Sequence, residues 1–169
     1  RLSKAGRKIT KNWKYPAYAL KCDIRKYFDS IDHEILKNLI SKIISEKETL
    51  DFISMLLKTF EKSSGKGLPL GNVTSQLFAN IYLNEFDQYI KHVLKARHYF
   101  RYCDDFVILS PNKDWLEEIL PKIRNFVSNK LELQLHPNKI SIRKFRQGID
   151  FLGYVVLPHA NVIRTKTKN

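Results

Sequence analysis

The sequence predicts an α+β fold of the split-βαβ, ferredoxin-like kind, an antiparallel sheet with helices packed on one face. Three observations predict it. Hydrophobic periodicity gives the order β, α, α, α, β, β, α, β, β, in which a βαββαβ skeleton is embedded with an extra helical insertion. The 169 residues, 43% hydrophobic and 12% aromatic, suit one domain with a sizeable core. No internal repeat, low-complexity segment or Pro/Gly/Ser linker divides the chain.

The elements follow in order. The first sixteen residues are basic, and Arg1, Lys4, Lys8 and Lys11 fit one helical face. Tyr18 to Ile24 reads as a buried strand that ends on Asp23. Asp32 is an N-cap for a helix whose apolar residues are Ile35, Leu36, Leu39, Ile40, Ile43 and Ile44. A second helix carries Phe52, Ile53, Leu56, Leu57 and Phe60, and Ser63 to Pro69 is a loop. From Thr74 to about Leu94 the period is helical, with Phe78, Tyr82, Phe86 and Ile90 four residues apart. Two strands, about 98–102 and 106–110, are joined by a tight turn. A helix from about Trp115 to Asn129 contains Pro121, where a kink or early break is expected. Two last strands, about 140–145 and 151–157, flank a turn at Gln147-Gly148.

Thirty basic residues against 17 acidic ones leave a formal charge of +13. Such a surplus suggests a polyanionic partner, nucleic acid first and an anionic membrane second. Besides the amino-terminal group, basic clusters occur at Arg143, Lys144 and Arg146 and at Arg164, Lys166 and Lys168. Any one cluster alone reads as solvated surface; the total favours nucleic acid. No apolar run approaches the ~18 residues that span a bilayer. Cys22 and Cys103 form no CxxC pair, which excludes a disulfide framework and a cysteine-rich zinc site, and points to free thiols in a reducing, cytoplasmic setting.

The chemistry lies in the acids. Asp104 and Asp105 interrupt a pattern that calls for apolar strand, and strands are depleted in Asp. Asp32 is explained by capping and Asp29 by turn chemistry, but Asp23 has no such local reason. In a split-βαβ sheet the strand of Asp23 is central and the hairpin of Asp104 and Asp105 pairs beside it. Three carboxylates then converge, at a cost that divalent cations remove. Hard oxygen ligands select Mg²⁺ or Mn²⁺, and the carbonyl of Ile24 offers one more oxygen. Two ions about 4 Å apart stabilise both attacking and leaving oxygens in phosphoryl transfer. The loop from Gly67 to Gln76 opens into the longest helix, and Gly71 lets backbone approach a ligand closely. Phe28, five residues after Asp23, can wall a pocket beside a ribose.

From about residue 17 to 157 the chain resembles the palm of reverse transcriptases of the bacterial retron, group II intron and diversity-generating type. Tyr102-Cys103-Asp104-Asp105 resembles the YxDD box, and the segment from Lys21 to His33 the first aspartate motif. Gly67 to Leu83 resembles the template and nucleotide-positioning motif. His136-Pro137-Asn138-Lys139 resembles the motif that follows, and Phe151-Leu152-Gly153-Tyr154 the primer grip.

The resemblance implies an RNA-directed DNA polymerase, with an RNA template, a DNA or RNA primer, dNTP substrates and an accessory protein to look for. Asp23, Asp104 and Asp105 then bind two Mg²⁺ ions, and Phe28 gates against a ribonucleotide 2′-OH. Backbone near Lys26 and Tyr27 touches the triphosphate, Leu70, Gly71 and Gln76 lie against the incoming nucleotide, and Lys139 is a candidate acid for pyrophosphate. The family commonly has PQG where this chain has Pro69-Leu70-Gly71, and Ser-Pro where it has Ser75-Gln76. Those departures resemble the diversity-generating branch, which copies RNA error-prone, chiefly at adenines. The chain reads as a palm fragment, residues 1–16 being a basic remnant of the fingers, with most of the fingers and the thumb absent; such a fragment is expected to be weakly active or inactive. Other readings are a nucleic-acid-binding module without catalysis and an RNA-copying RNA polymerase, against which Phe28 argues.

Overall fold

The computed structural model describes residues 1–164. Lys166 and Lys168 of the last basic cluster lie outside the described residues. Four strands, β1 (Tyr18–Asp23), β2 (Tyr99–Tyr102), β3 (Asp105–Ser110) and β4 (Ser141–Lys144), form an antiparallel sheet in the order β2-β3-β1-β4. That is the split-βαβ arrangement, with β1 central as expected.

The sheet separates two cores because side chains alternate along each strand. Leu20, Cys22, Phe106 and Ile108 face the helices on one side; Ala19, Val107 and Leu109 face the other. The helices are α1 (Leu2–Ile9), α2 (Tyr27–Ser30), α3 (His33–Ser41), α4 (Lys47–Thr59), α5 (Val73–Gln88) and α6 (Lys113–Leu131). The helical side holds the larger core. Phe86 of α5 is fully buried there, with its ring 5.0 Å from Phe106 and 6.2 Å from both Tyr99 and Phe126. Truncating such a ring costs about 3–5 kcal/mol. The opposite side is covered in part by α1 and by a second, three-stranded sheet of β5 (Ile149–Phe151), β6 (Tyr154–Val156) and β7 (Asn161–Ile163).

Local chemistry sets the helix starts. Asp32 Oδ1 accepts from the amides of Glu34 (2.9 Å) and Ile35 (3.1 Å), and Asn112 Oδ1 accepts from Trp115 (3.1 Å). Four expectations change. α6 runs unbroken through Pro121, because Leu116, Ile119, Ile123, Val127 and Leu131 keep one buried stripe on both sides of it. α3 stops at Ser41, leaving Ile43 79% exposed rather than on the apolar face. The expected strand at 151–157 is cut by a turn at Leu152-Gly153, so β5 and β6 pair with each other, outside the main sheet. The expected helix to Leu94 is α5 followed by a turn of π-helix at Tyr89–Val93, where Tyr89 stacks on Phe126 at 4.1 Å.

Candidate active site

β1 and β3 end together. Asp23 is the direct cross-strand partner of Asp105, so two carboxylates share one face at one end of the sheet. Like charges directly opposite each other are destabilising, so the pair needs compensation. Two lysines provide it. Lys139 Nζ lies 2.8 Å from Asp23 Oδ2, and Lys21 Nζ lies 3.2 Å from Asp105 Oδ2. Lys21 stands two residues before Asp23 on the same face of β1, and also donates to the Asp150 carbonyl at 2.5 Å.

Asp104 occupies the two-residue turn between β2 and β3 with Cys103. The backbone fixes it from two directions. Its carbonyl accepts from the Ile24 amide at 3.1 Å, and the Cys103 carbonyl accepts from Arg101 Nη1 at 3.1 Å. Arg101 is in turn clamped to Asp87 of α5 by two bonds of 2.8 and 2.6 Å, which Tyr99 joins at 2.6 Å. Cys103 has φ 50°, a left-handed conformation that costs a non-glycine residue about 1–2 kcal/mol.

The electrostatics follow from burial. Burial first, then the neighbouring Asp23, raises the carboxyl of Asp104 above the usual range. Asp105 is raised by burial and by Asp23 and Asp104, against the pull of Lys21. Lys139 is raised by its hydrogen bond to Asp23. Asp105 Oδ1 is buried with no hydrogen-bond partner among the described residues. An orphaned carboxylate oxygen beside two more acids is a donor set that suits a hard divalent cation. Among the described residues no group of three His, Cys, Asp or Glu side chains already stands at chelating distance, and the lysines hold two of the acids.

The remaining candidates arrange around these acids. Ile24 is buried and bridges to Leu135. Lys26, with φ 46°, caps α2. The Tyr27 ring turns into the helical core, where burial raises its hydroxyl's pKa and the hydroxyl donates to the Ala79 carbonyl, so its side chain is withdrawn from the surface. Phe28 is half-buried against Tyr27, and its carbonyl accepts from Leu68 at 2.7 Å. That bond, with Gly67 N–H to Ile31 O at 2.9 Å, sews the loop before α5 onto α2. Beyond it Leu70 is 72% exposed, Gly71 has φ 84° with open space around its Cα, and Gln76 is exposed. Phe151 is buried, while Leu152 and Tyr154 are exposed at the β5–β6 turn.

Sequence reasoning missed Lys21 and Arg101. Lys21 had a signal in the alternation of β1; Arg101 had one in being the charged residue of an aromatic strand.

Residues 2–156 match the family described as reverse transcriptase (RNA-dependent DNA polymerase). The chain belongs to that family. Among curated relatives, Protein YkfC of Escherichia coli (strain K12) is 29% identical over 178 residues, covering 81% of this chain and 46% of its own length. Group II intron-encoded protein LtrA of Lactococcus lactis subsp. cremoris is 26% identical over 201 residues, covering 78% of this chain and 33% of its own. This reverse transcriptase chain thus spans less than half the length of either relative. Its fold is shared with apo telomerase from Candida tropicalis, at TM-score 0.72 and 17% identity over 95% of this chain and 35% of that one.

Proposed function

We propose that the chain is the palm of an RNA-directed DNA polymerase, which transfers a deoxynucleotide to a primer 3′-OH on an RNA template and releases pyrophosphate. The observation that carries this is the pairing of Asp23 with Asp105 beside the Asp104 turn, with one carboxylate oxygen left orphaned. Asp23, Asp104 and Asp105, with the Ile24 carbonyl, are the residues to hold two Mg²⁺ ions, for which Mn²⁺ is an alternative. Bound there, the metal neutralises charge on the phosphates and lowers the pKa of the attacking hydroxyl.

The chain's own residues do the positioning. Lys139, held by Asp23 in the free chain, is the candidate acid that gives a proton to the leaving pyrophosphate. Phe28 walls the sugar side of the nucleotide, and backbone at Lys26 and Tyr27 meets the triphosphate. Gly71 admits the nucleotide close to the loop. Phe151 to Tyr154 present a turn toward the primer. The template partner in this reading is RNA; a telomerase from Candida tropicalis with a similar fold, at TM-score 0.72 and 15% identity, is in complex with a TWJ fragment of telomeric RNA. Leu70 in place of glutamine, with Ser75-Gln76, carries the further reading of an error-prone, diversity-generating enzyme, because leucine offers no amide to orient the nucleotide. Leu70→Gln is then expected to lower misincorporation opposite adenine.

The test is primer extension on RNA with dNTPs and Mg²⁺, together with Mn²⁺ binding followed by electron paramagnetic resonance. We expect weak, dNTP-selective extension that Asp104→Asn abolishes, and Mn²⁺ binding that the same change weakens. Phe28→Ala is expected to admit ribonucleotides, and their equal use by the unmodified chain would favour an RNA polymerase. One observation favours a second reading, a nucleic-acid-binding module without catalysis. Lys21 and Lys139 already neutralise two of the carboxylates. Mn²⁺ binding that ignores Asp104→Asn would support it.

A further inference from the structure

The opposite end of β1 carries a second feature that polymerisation does not use. Lys144 pairs with Tyr18, five residues along β1 from Asp23. At a strand's rise that separates the two ends by ~17 Å. Beside Lys144 lies a cavity of about 340 Å³. Trp13 and Tyr15 give it aromatic walls over the buried Phe145, Pro16 and Pro158 add flat apolar surface, and the cations Lys14, Lys144 and Arg146 line it as a charged rim. Among the described residues, no acidic one lines it. A fourth cation, Lys11, lies over the Tyr15 ring, 5.3 Å from its centroid.

This arrangement is built at a cost. Lys11, Asn12 and Trp13 hold consecutive left-handed φ values of 47°, 61° and 68°. Non-glycine residues visit that region singly, not in runs. The run is held by specific bonds: the Asn12 amide to Arg7 O at 2.8 Å, the Trp13 amide to Thr10 Oγ1 at 2.9 Å, and the Tyr15 amide to Thr10 O at 2.9 Å. Trp13 then stacks on Phe145, with centroids 5.4 Å apart. Phe145 is locked in turn, because it fills the space where a Cβ at Gly6 would sit, 2.7 Å from its Cζ. The outcome is a rigid aromatic wall, with Tyr15 57% exposed beside it and cations around it.

Aromatic faces in a basic groove are the chemistry that holds unpaired bases, each stacked on a ring with its phosphate on a cation. We infer that this cavity is a docking site for single-stranded RNA, separate from the polymerase centre and independent of divalent metal. Charge complementarity chooses the occupant: a strand that is both flat-ringed and anionic satisfies the walls and the rim together.

The chain has two tryptophans, so Trp115→Phe leaves Trp13 as the sole indole reporter. The probe is an oligouridylate of ~12 nucleotides, added in the presence of a chelator. We expect it to quench Trp13. Tyr15→Ala is expected to raise the Kd by about tenfold, the loss of one stacking platform. Arg146→Ala is expected to reduce the salt slope of binding by about one. Asp104→Asn is expected to change neither. If Trp115→Phe does not fold, comparing the quench in the unmodified chain and in Tyr15→Ala gives the same reading. Three results overturn the inference: no quench of Trp13 while fluorescein-labelled probe still binds, an equal Kd for Tyr15→Ala, or equal quenching by polyglutamate, which would mark an acidic-peptide site.

Discussion

Two hairpins in this molecule close on two-residue turns, and they are built differently. Between β2 and β3, Tyr102 pairs with Asp105 across Cys103-Asp104; between β5 and β6, Phe151 pairs with Tyr154 across Leu152-Gly153. The second turn has positive φ at both central residues, 55° and 79°, with glycine at one, as tight hairpins favour. The first has no glycine and places Cys103 at φ 50°. It survives because its surroundings over-determine it. Ile24 holds one carbonyl of the turn, Arg101 holds the other, and β1 pairs along the whole of β3. Among the described residues the β5–β6 turn has one such tether, from Arg164 N–H to Gly153 O at 2.9 Å. Strain sits where tertiary structure can carry it and where a side chain has to be aimed, while the freer turn relies on its own sequence.

The sharpest way to break this contrast is activity. Asp104→Asn is expected to lower dNTP incorporation roughly a thousandfold, on the several kcal/mol that metal coordination supplies to such a transition state. Leu152→Ala, at the other turn, is expected to cost less than about tenfold, since one exposed apolar contact is worth about 1 kcal/mol or less. Comparable losses in the two variants would remove the distinction. Thermal unfolding sharpens it further. Gly153→Ala forces a left-handed alanine and is expected to destabilise by about 1–2 kcal/mol. Cys103→Gly relieves the same kind of strain and is expected to stabilise by up to about 1 kcal/mol, after glycine's entropic cost. A Cys103→Gly variant that melts lower would show that the turn is not strained.

The smallest effect is in pH. The carboxyl of Asp104 is raised in the folded chain by burial and by Asp23, so the native state holds its proton more tightly than the unfolded state does. This group's contribution to stability is present below its unfolded pKa and lost as pH rises through the raised folded value. In chelator, Asp104→Asn is therefore expected to melt slightly higher than the unmodified chain at neutral pH. The difference should vanish on acidification below the carboxylate range. A difference that grows on acidification would reverse the sign of the argument.

Much of this was legible in the sequence. The strand ending on Asp23, the helix capped by Asp32 and the hairpin of Asp104 and Asp105 announce themselves through alternation, capping and periodicity, which are local. The convergence of Asp23 with Asp105 followed from placing β1 at the centre of the sheet. What escaped was decided by partners distant in sequence. Pro121 stays helical because tertiary packing runs past it. The three strands of the second sheet are three residues each, too short to show a period, and Asn161–Ile163 gave no strand signal at all. Lys21 reads as an ordinary polar position until Asp105 and Asp150 are brought to it.

The sheet that separates the two cores also divides the molecule's resistance to opening. The larger core ties α3, α5 and α6 to one face, whereas α1 and the second sheet rest on the other through a smaller set of buried side chains, Leu2, Phe145, Ile149, Phe151 and Val156 among them. Amide protons of β5 and β6 should accordingly exchange with solvent through partial openings that leave those of β1 and β3 protected. Breathing of that kind is expected to move the Leu152-Gly153 turn and to leave Asp23 and Asp105 in register, which would make the carboxylates a fixed anvil against which the neighbouring hairpin shifts.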